Sequence, residues 1–244
     1  MPDELIPVLG CKNEQRVGDV IFIHGLNGNA RDYWCREGKS ENYWPAWLAE
    51  DLPNIGVWSL GYENAAFRAR IFPFLRRFGY WGFAMPLSDR AKSVLLQLET
   101  ATLGERPLVF VTHSMGGLIV KQLIRTANEA QTESYWKLIL KNVRGVCFIA
   151  TPHVGADLAK WISYFRLVLG TNVSTKDLAP HDSLLRELNQ VYRNFVTTKG
   201  INIKTISFHE MKPLFGSTLV VDAGDADPGV AGSEVHPLVQ VSQI

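Results

Sequence analysis

Residue types that together carry out acyl transfer occur here in a telling chain order: a serine at a sharp corner, carboxylates well after it, and a late histidine. The serine is Ser114 in VFVTHSMGGLIV, residues 109–120, where a β-branched apolar run meets His113, Ser114, Met115 and two glycines before a second apolar run begins. A serine hydroxyl is a weak nucleophile until a base takes its proton, and its attack on a carbonyl creates an oxyanion that needs donors already in place. A strand-to-helix corner supplies the position and one of the donors. It pushes a side chain out above the sheet, and the first amides of the helix have no intrahelical partner and face developing negative charge. Gly116 and Gly117 remove the side chains that would hold strand and helix apart. The motif is G-x-S-x-G with Thr112 in place of the first glycine, a β-branched residue that suits the end of a strand. An isolated S-x-G reads more simply as a serine capping a helix, and it is the surroundings that favour the nucleophile.

In this arrangement the acid follows the nucleophile and the histidine follows the acid. Four histidines come after Ser114. His153, in TPHVG, lies just after a strand and shapes a pocket or meets substrate; His181 precedes a helix; His209 adjoins the best acid, which breaks the order. His236, in GSEVHPLV, comes after the last strand candidate and is assigned as the base. Glu210 follows the strand INIKTISF and is assigned as the acid, with Asp222, at the end of STLVVD beside Asp225 and Asp227, as its reserve. The competing readings are a surface ion pair of Glu210 with Lys212 and a solvated turn at Asp222. His113 abuts Ser114, but neighbours at a sharp turn project in different directions, so it is read as structural. An early strand ends in VIFIHGLNGNARDYW, whose His24-Gly25-Leu26 leads into a Gly- and Asn-containing loop. The second oxyanion donor is placed at the amide of Leu26 or its neighbour, paired with that of Met115, with His24, Gly25, His113 and His153 around the pocket.

These residues must be held by strands and helices in alternation. DVIFIHG, GVWSLGY, PLVFVTH, VRGVCFIATP, INIKTISF and STLVVD read as buried strands, and most are rich in Val, Ile and Phe. Leu87, Ala91, Val94, Leu95 and Leu98 share one helical face, as do Leu184, Leu185, Leu188, Val191, Tyr192 and Phe195 in a helix expected from Asp182 to Gly200. The alternation predicts an α/β architecture, a mostly parallel sheet flanked by helices. With 244 residues, 46% of them hydrophobic, a single domain over 1–244 is expected.

A formal net charge of +1 argues against a nucleic-acid partner. The start, MPDELIPVLG, has neither a basic n-region nor an apolar h-region, no stretch is long and apolar enough to span a bilayer, and the three cysteines show no metal-ligand spacing. A reduced, cytoplasmic protein is expected. Its oligomeric state is not legible in the sequence.

FIHGLNGNARDYW, LPNIGVWSLGYE, FVTHSMGGLIVKQLI and FIATPHVGADLA, followed by SFHE and a late histidine, together resemble the α/β-hydrolase superfamily. Within it, they resemble the serine-active-site-containing lipase-like proteins related to GPI-inositol-deacylase-like hydrolases. The resemblance implies a serine hydrolase acting on carboxylic esters, often lipid esters, without metal or cofactor. It places Ser114 at the nucleophile, Leu26 and Met115 at the oxyanion positions and His236 at the catalytic histidine. Two other readings use the same residues: a non-catalytic module that binds a ligand or partner, and an acyltransferase in which another alcohol replaces water.

Two segments suggest cap-like insertions, a flap over 63–85 and a cap segment over 153–181. In the flap, Phe67, Phe72, Phe74, Phe78, Tyr80, Trp81 and Phe83 interleave with Arg68, Arg70, Arg76 and Arg77. Such a pattern suits either an acyl chain and anionic headgroups at a membrane surface or a core-packed helix with solvated arginines. Replacing Phe78, Tyr80 and Trp81 with Ser separates the two. Under the flap reading, hydrolysis of vesicle-presented long-chain esters falls far more than that of soluble short-chain esters, whereas equal losses indicate core damage.

Overall fold

The computed structural model describes residues 4–25, 28–35, 38–62, 87–153, 179–198, 202–210, 221 and 223–238. The flap and nearly all of the cap segment, with Leu26 and Asp222, lie outside them. Among the described residues seven strands form one sheet: β1 (Glu4–Leu9), β2 (Gly18–Ile23), β3 (Ile55–Gly61), β4 (Leu108–His113), β5 (Val143–Ile149), β6 (Lys204–Glu210) and β7 (Glu234–Leu238). Their order is β1-β3-β2-β4-β5-β6-β7. β1 runs antiparallel to β3, and every other pairing is parallel.

Parallel strands need crossovers, and the crossovers here bring helices onto the faces of the sheet. The α-helices among the described residues are α1 (Trp44–Asp51), α2 (Leu87–Thr100), α3 (Met115–Glu129), α4 (Tyr135–Asn142) and α5 (Ala179–Val196). On one face Ile21, Ile23, Leu60, Phe110 and Phe148 pack with Val94, Leu95 and Leu98 of α2, Ile119 and Leu123 of α3, and Tyr192 of α5. On the other, Phe22, Val57, Val111 and Ile149 pack with Trp34 and with Ala49 of α1. Trp34 and Trp44 meet the Phe22 ring edge-on, with centroids 5.2 and 5.1 Å away. Burial on both faces explains why the central strands read as continuous apolar runs.

The sheet edges differ from the sequence expectation. β1 (ELIPVL) carries Pro7 and is only partly covered, so it lacks a buried-strand signal. β7 (EVHPL) is largely exposed and contains Pro237, so it carries no buried-strand signal although it pairs with β6 from Ile206↔Glu234 to Glu210↔Leu238. His236 therefore lies inside the last strand instead of following it. α5 starts at Ala179 and ends at Val196, slightly ahead of the expected limits.

Packing is tightest where α3 leaves the sheet. A Cβ on Gly116 would lie 2.4 Å from the carbonyl oxygen of Ile23 and 2.8 Å from that of His24. Backbone cannot give way there, so the start of α3 sits directly on the end of β2. Gly116→Ala is expected to destabilise the fold by about 1–3 kcal/mol in urea melts. Gly145→Ala, whose Cβ would meet nothing closer than 3.6 Å, should cost clearly less in space.

Candidate active site

Ser114 joins β4 to α3 with φ 49° and ψ −117°, a conformation that a residue bearing a side chain holds only under constraint. Its amide donates to the Ile149 carbonyl at 2.9 Å, and its carbonyl accepts from the Gly117 amide at 3.1 Å. The Thr151 hydroxyl donates to that same carbonyl, also at 3.1 Å. Ser114 holds the N-cap position, yet its hydroxyl makes no capping bond, so the simple capping reading does not describe it. Thr112, where the motif usually has glycine, is fully buried and donates its hydroxyl to the Cys147 carbonyl at 2.9 Å, tying β4 to β5.

Met115 is the first residue of α3, so its amide has no intrahelical partner. Gly25 faces the corner: a Cβ there would lie 3.1 Å from Ser114 Cβ. The Gly25 carbonyl accepts from the Gly28 amide at 3.3 Å and from His24 Nδ1 at 2.7 Å. A carbonyl partner requires the proton on Nδ1, and Nε2 correspondingly accepts from the Tyr62 amide at 3.3 Å. His24 is thus neutral, fully buried and stacked on Tyr62 at 4.2 Å.

The other nearby histidines are also engaged. His113 Nδ1 lies 2.5 Å from the Tyr33 hydroxyl. Burial first, and the charge the neighbouring His24 would carry once protonated second, lower its pKa to about 4, so it is neutral near neutral pH and a poor proton acceptor. His153 is buried, with Nδ1 2.5 Å from Lys121 Nζ. Lys121 in turn donates to Asn189 Oδ1 at 2.8 Å, and Asn189 Nδ2 donates to the Pro228 carbonyl at 3.2 Å. Burial pushes both Lys121 and His153 well below their usual pKa, which favours a neutral, hydrogen-bonded pair. The His153 amide donates to the Asp225 carbonyl at 2.8 Å, drawing the loop after β6 toward the serine corner. Neither Lys121 nor Tyr33 carries a local sequence signal, because their partners are 32 and 80 residues away.

Glu210 is the last residue of β6 and only 8% exposed, and its Oε2 accepts from the Val221 amide at 3.4 Å. Val221, Ala226 and Ala150 pack together, so Glu210 and Asp225 both border the strand end beside Ser114. Asp225 is a buried residue that the sequence offers only as part of a Gly- and Asp-rich loop. His236 is not brought to Ser114. Register aligns it with Phe208, Phe208 with Ile149, and Ile149 with His113. Three interstrand steps of about 4.8 Å place it about 14 Å along the sheet from His113. Its Nε2 lies 2.9 Å from Glu234 Oε2, and its side chain is 46% exposed. No group of three or more potential metal ligands occurs among the described residues, and no described helix is long and apolar enough to cross a membrane.

A family model described as "Putative serine esterase (DUF676)" matches residues 13–164. Protein SERAC1 of Danio rerio is 31% identical over 247 residues, covering 90% of this chain and 35% of that protein. Protein SERAC1 of Homo sapiens is 30% identical over 233 residues, covering 87% and 34%. The chain thus spans about a third of the length of these curated relatives. Among solved structures, a carboxylesterase of Nitrososphaera gargenis superposes with a TM-score of 0.54 at 14% identity, covering 98% of this chain and 86% of that one. The esterase Est2 of Thermogutta terrifontis does so with a TM-score of 0.52 at 14% identity, covering 98% and 78%. The fold is the α/β-hydrolase fold.

Neutral buried imidazoles make stability depend on pH. Between pH 6.5 and about 4 the unfolded chain protonates His113 while the native state does not, so stability is present above this window and is lost as pH falls through it. His153 acts in the same direction. His113→Gln, which keeps an acceptor for Tyr33, should flatten the fall in unfolding free energy over this window by up to about 1.4 kcal/mol per pH unit in urea melts.

Proposed function

Because the chain belongs to the family described as putative serine esterases (DUF676), we propose that it hydrolyses carboxylic esters, lipid-like ones among them, through a covalent acyl-enzyme on Ser114. The observation that carries this reading is the constrained Ser114 corner, its hydroxyl not used for capping, at the start of α3 and against the Gly25 backbone.

In this mechanism Ser114 Oγ attacks the ester carbonyl as a histidine takes its proton. The Met115 and Leu26 amides receive the oxyanion, the histidine returns the proton to the leaving alcohol, and water then releases the acyl group. Chain order gives the histidine role to His236 and the orienting carboxylate to Glu210, with Asp222 in reserve. For His236 that role requires the β7 edge to approach Ser114 and the contact with Glu234 to be given up. Its exposed position favours a second reading, a ligand- or partner-binding module on the same fold. An acyltransferase differs only in the alcohol that accepts the acyl group. Contact with a membrane surface belongs to the lipid-ester reading.

A fluorophosphonate probe tests the proposal without knowledge of the substrate. One adduct on Ser114, abolished in Ser114→Ala, is expected, with labelling slowed in His236→Ala. Folded wild-type protein that does not label supports the binding module. If labelling succeeds, Glu210→Gln should lower turnover by up to about ten-thousand-fold with little change in melting temperature. A sharp preference for acetyl esters would end the lipid-ester reading and leave the esterase one.

A further inference from the structure

The proposed mechanism gives Tyr33 no role, yet its hydroxyl lies among the groups that would carry out the chemistry. Tyr33 sits in the loop after β2, and that loop is firmly held. Asn29 Oδ1 accepts from the amides of Arg31 and Asp32 at 2.8 and 2.7 Å. The Ala30 carbonyl accepts from the hydroxyls of Tyr43 at 3.0 Å and Ser59 at 2.7 Å. The Tyr33 ring stands between two histidines, with centroids 5.6 Å from His24 and 5.4 Å from His113, and its edge meets Trp34 at 5.4 Å.

Three groups converge on one point at Gly25. A Cβ there would lie 2.6 Å from the Tyr33 hydroxyl, 2.7 Å from His113 Nδ1 and 3.1 Å from Ser114 Cβ. The bond between Tyr33 and His113 therefore runs along the Gly25 backbone on the side that faces the nucleophile. His113 adjoins Ser114 in the chain, whereas Tyr33 belongs to the loop that continues from Gly25. The pair thus links the two parts whose separation decides how an oxyanion is held. The Gly25 carbonyl is itself held by His24 and the Gly28 amide, so the backbone that the pair meets has a fixed position.

We propose that Tyr33 is a positioning residue of the hydrolytic site: its hydroxyl donates to His113 Nδ1, and the pair sets the gap between the Ser114 corner and the Gly25 backbone, the two parts against which an oxyanion would be held. Tyr33 acts through Gly25 and His113 without touching substrate. This inference rests on the ester-hydrolase reading. An interaction that serves the oxyanion is realised in the transition state and not in the ground state, so its loss lowers kcat and leaves KM nearly unchanged.

The test uses the full chain with a soluble p-nitrophenyl ester and an alkyl boronic acid as transition-state mimic. Tyr33→Phe keeps the ring and removes the hydroxyl. It should lower kcat about ten- to a hundredfold, keep KM within about twofold, and weaken boronate binding by the same factor as kcat. His113→Leu should reproduce the loss, His113→Gln should restore part of it, and Tyr33→Phe/His113→Leu should be no worse than the poorer single variant. Unchanged kcat, losses that multiply in the double variant, or a lowered melting temperature with full turnover per folded molecule would overturn the proposal. Should Tyr33→Phe fail to fold, His113→Leu is read by the same criteria. Wild-type protein with no fluorophosphonate adduct removes the hydrolase reading and this inference with it. A labelled wild type beside an unaffected Tyr33→Phe removes this inference alone.

Discussion

The backbone of Ser114 can hold φ 49° only because rearranging its surroundings would cost more than the strain, which for such a residue is about 1–3 kcal/mol. What over-determines it is the close approach of α3 to β2 at Gly116, together with the bonds that fix both the amide and the carbonyl of Ser114. Ala150, at the end of the neighbouring β5, also has positive φ, at 45°, and its amide is held by the Phe208 carbonyl at 2.8 Å. Two constrained corners thus stand side by side at the carboxyl edge of the sheet, joined by the register His113↔Ile149. The parallel sheet, buried on both faces, is the rigid support that such strain needs.

The same edge concentrates buried polar groups, each one costly to bury unless hydrogen-bonded. His24 is tied to Gly25 and Tyr62, His113 to Tyr33, and His153 to Lys121. Burial keeps His113 and His153 neutral, and bonding at both ring nitrogens does the same for His24, so these imidazoles serve as fixed donors and acceptors. Lys121 extends the bracing: it stands on α3, the helix that Ser114 begins, and reaches α5 through Asn189 and the strand-end segment through His153. A lysine placed fully inside the fold connects elements that apolar contacts alone would leave free to slide.

What was legible in the sequence was local. The strand run into Ser114 and the glycines behind it are neighbours in the chain, and the sharp corner between β4 and α3 follows from their order. The central strands were legible because burial on both faces gives them uninterrupted apolar runs. The edges were not: β1 and β7 are half-solvated and contain Pro7 and Pro237. That matters for the site, because His236 then belongs to a strand whose register directs it to Phe208 and Glu234. Contacts such as Tyr33 with His113, or Lys121 with His153, depend on the three-dimensional crossing of elements and leave no periodic trace.

Fold likeness at 14% identity speaks only to architecture, so function has to be argued from the site. The family match over residues 13–164 contains Ser114, Met115, Gly25, Tyr33, His113, Lys121 and His153, while Glu210 and His236 lie beyond it. The matched part is therefore the part that holds Ser114 at a helix start with the Gly25 backbone against it. Pre-set donors of this kind stabilise developing charge without reorganising, and in serine hydrolases they sustain a share of the rate acceleration even when a proton-transfer partner is removed. Glu210 and His236 stand instead on β6 and β7, two and three strands away from β4 in the sheet. The constrained serine corner and the Gly25 backbone that faces it thus come from one contiguous sequence block, whereas Glu210 and His236 come from the strands toward the solvated edge of the sheet.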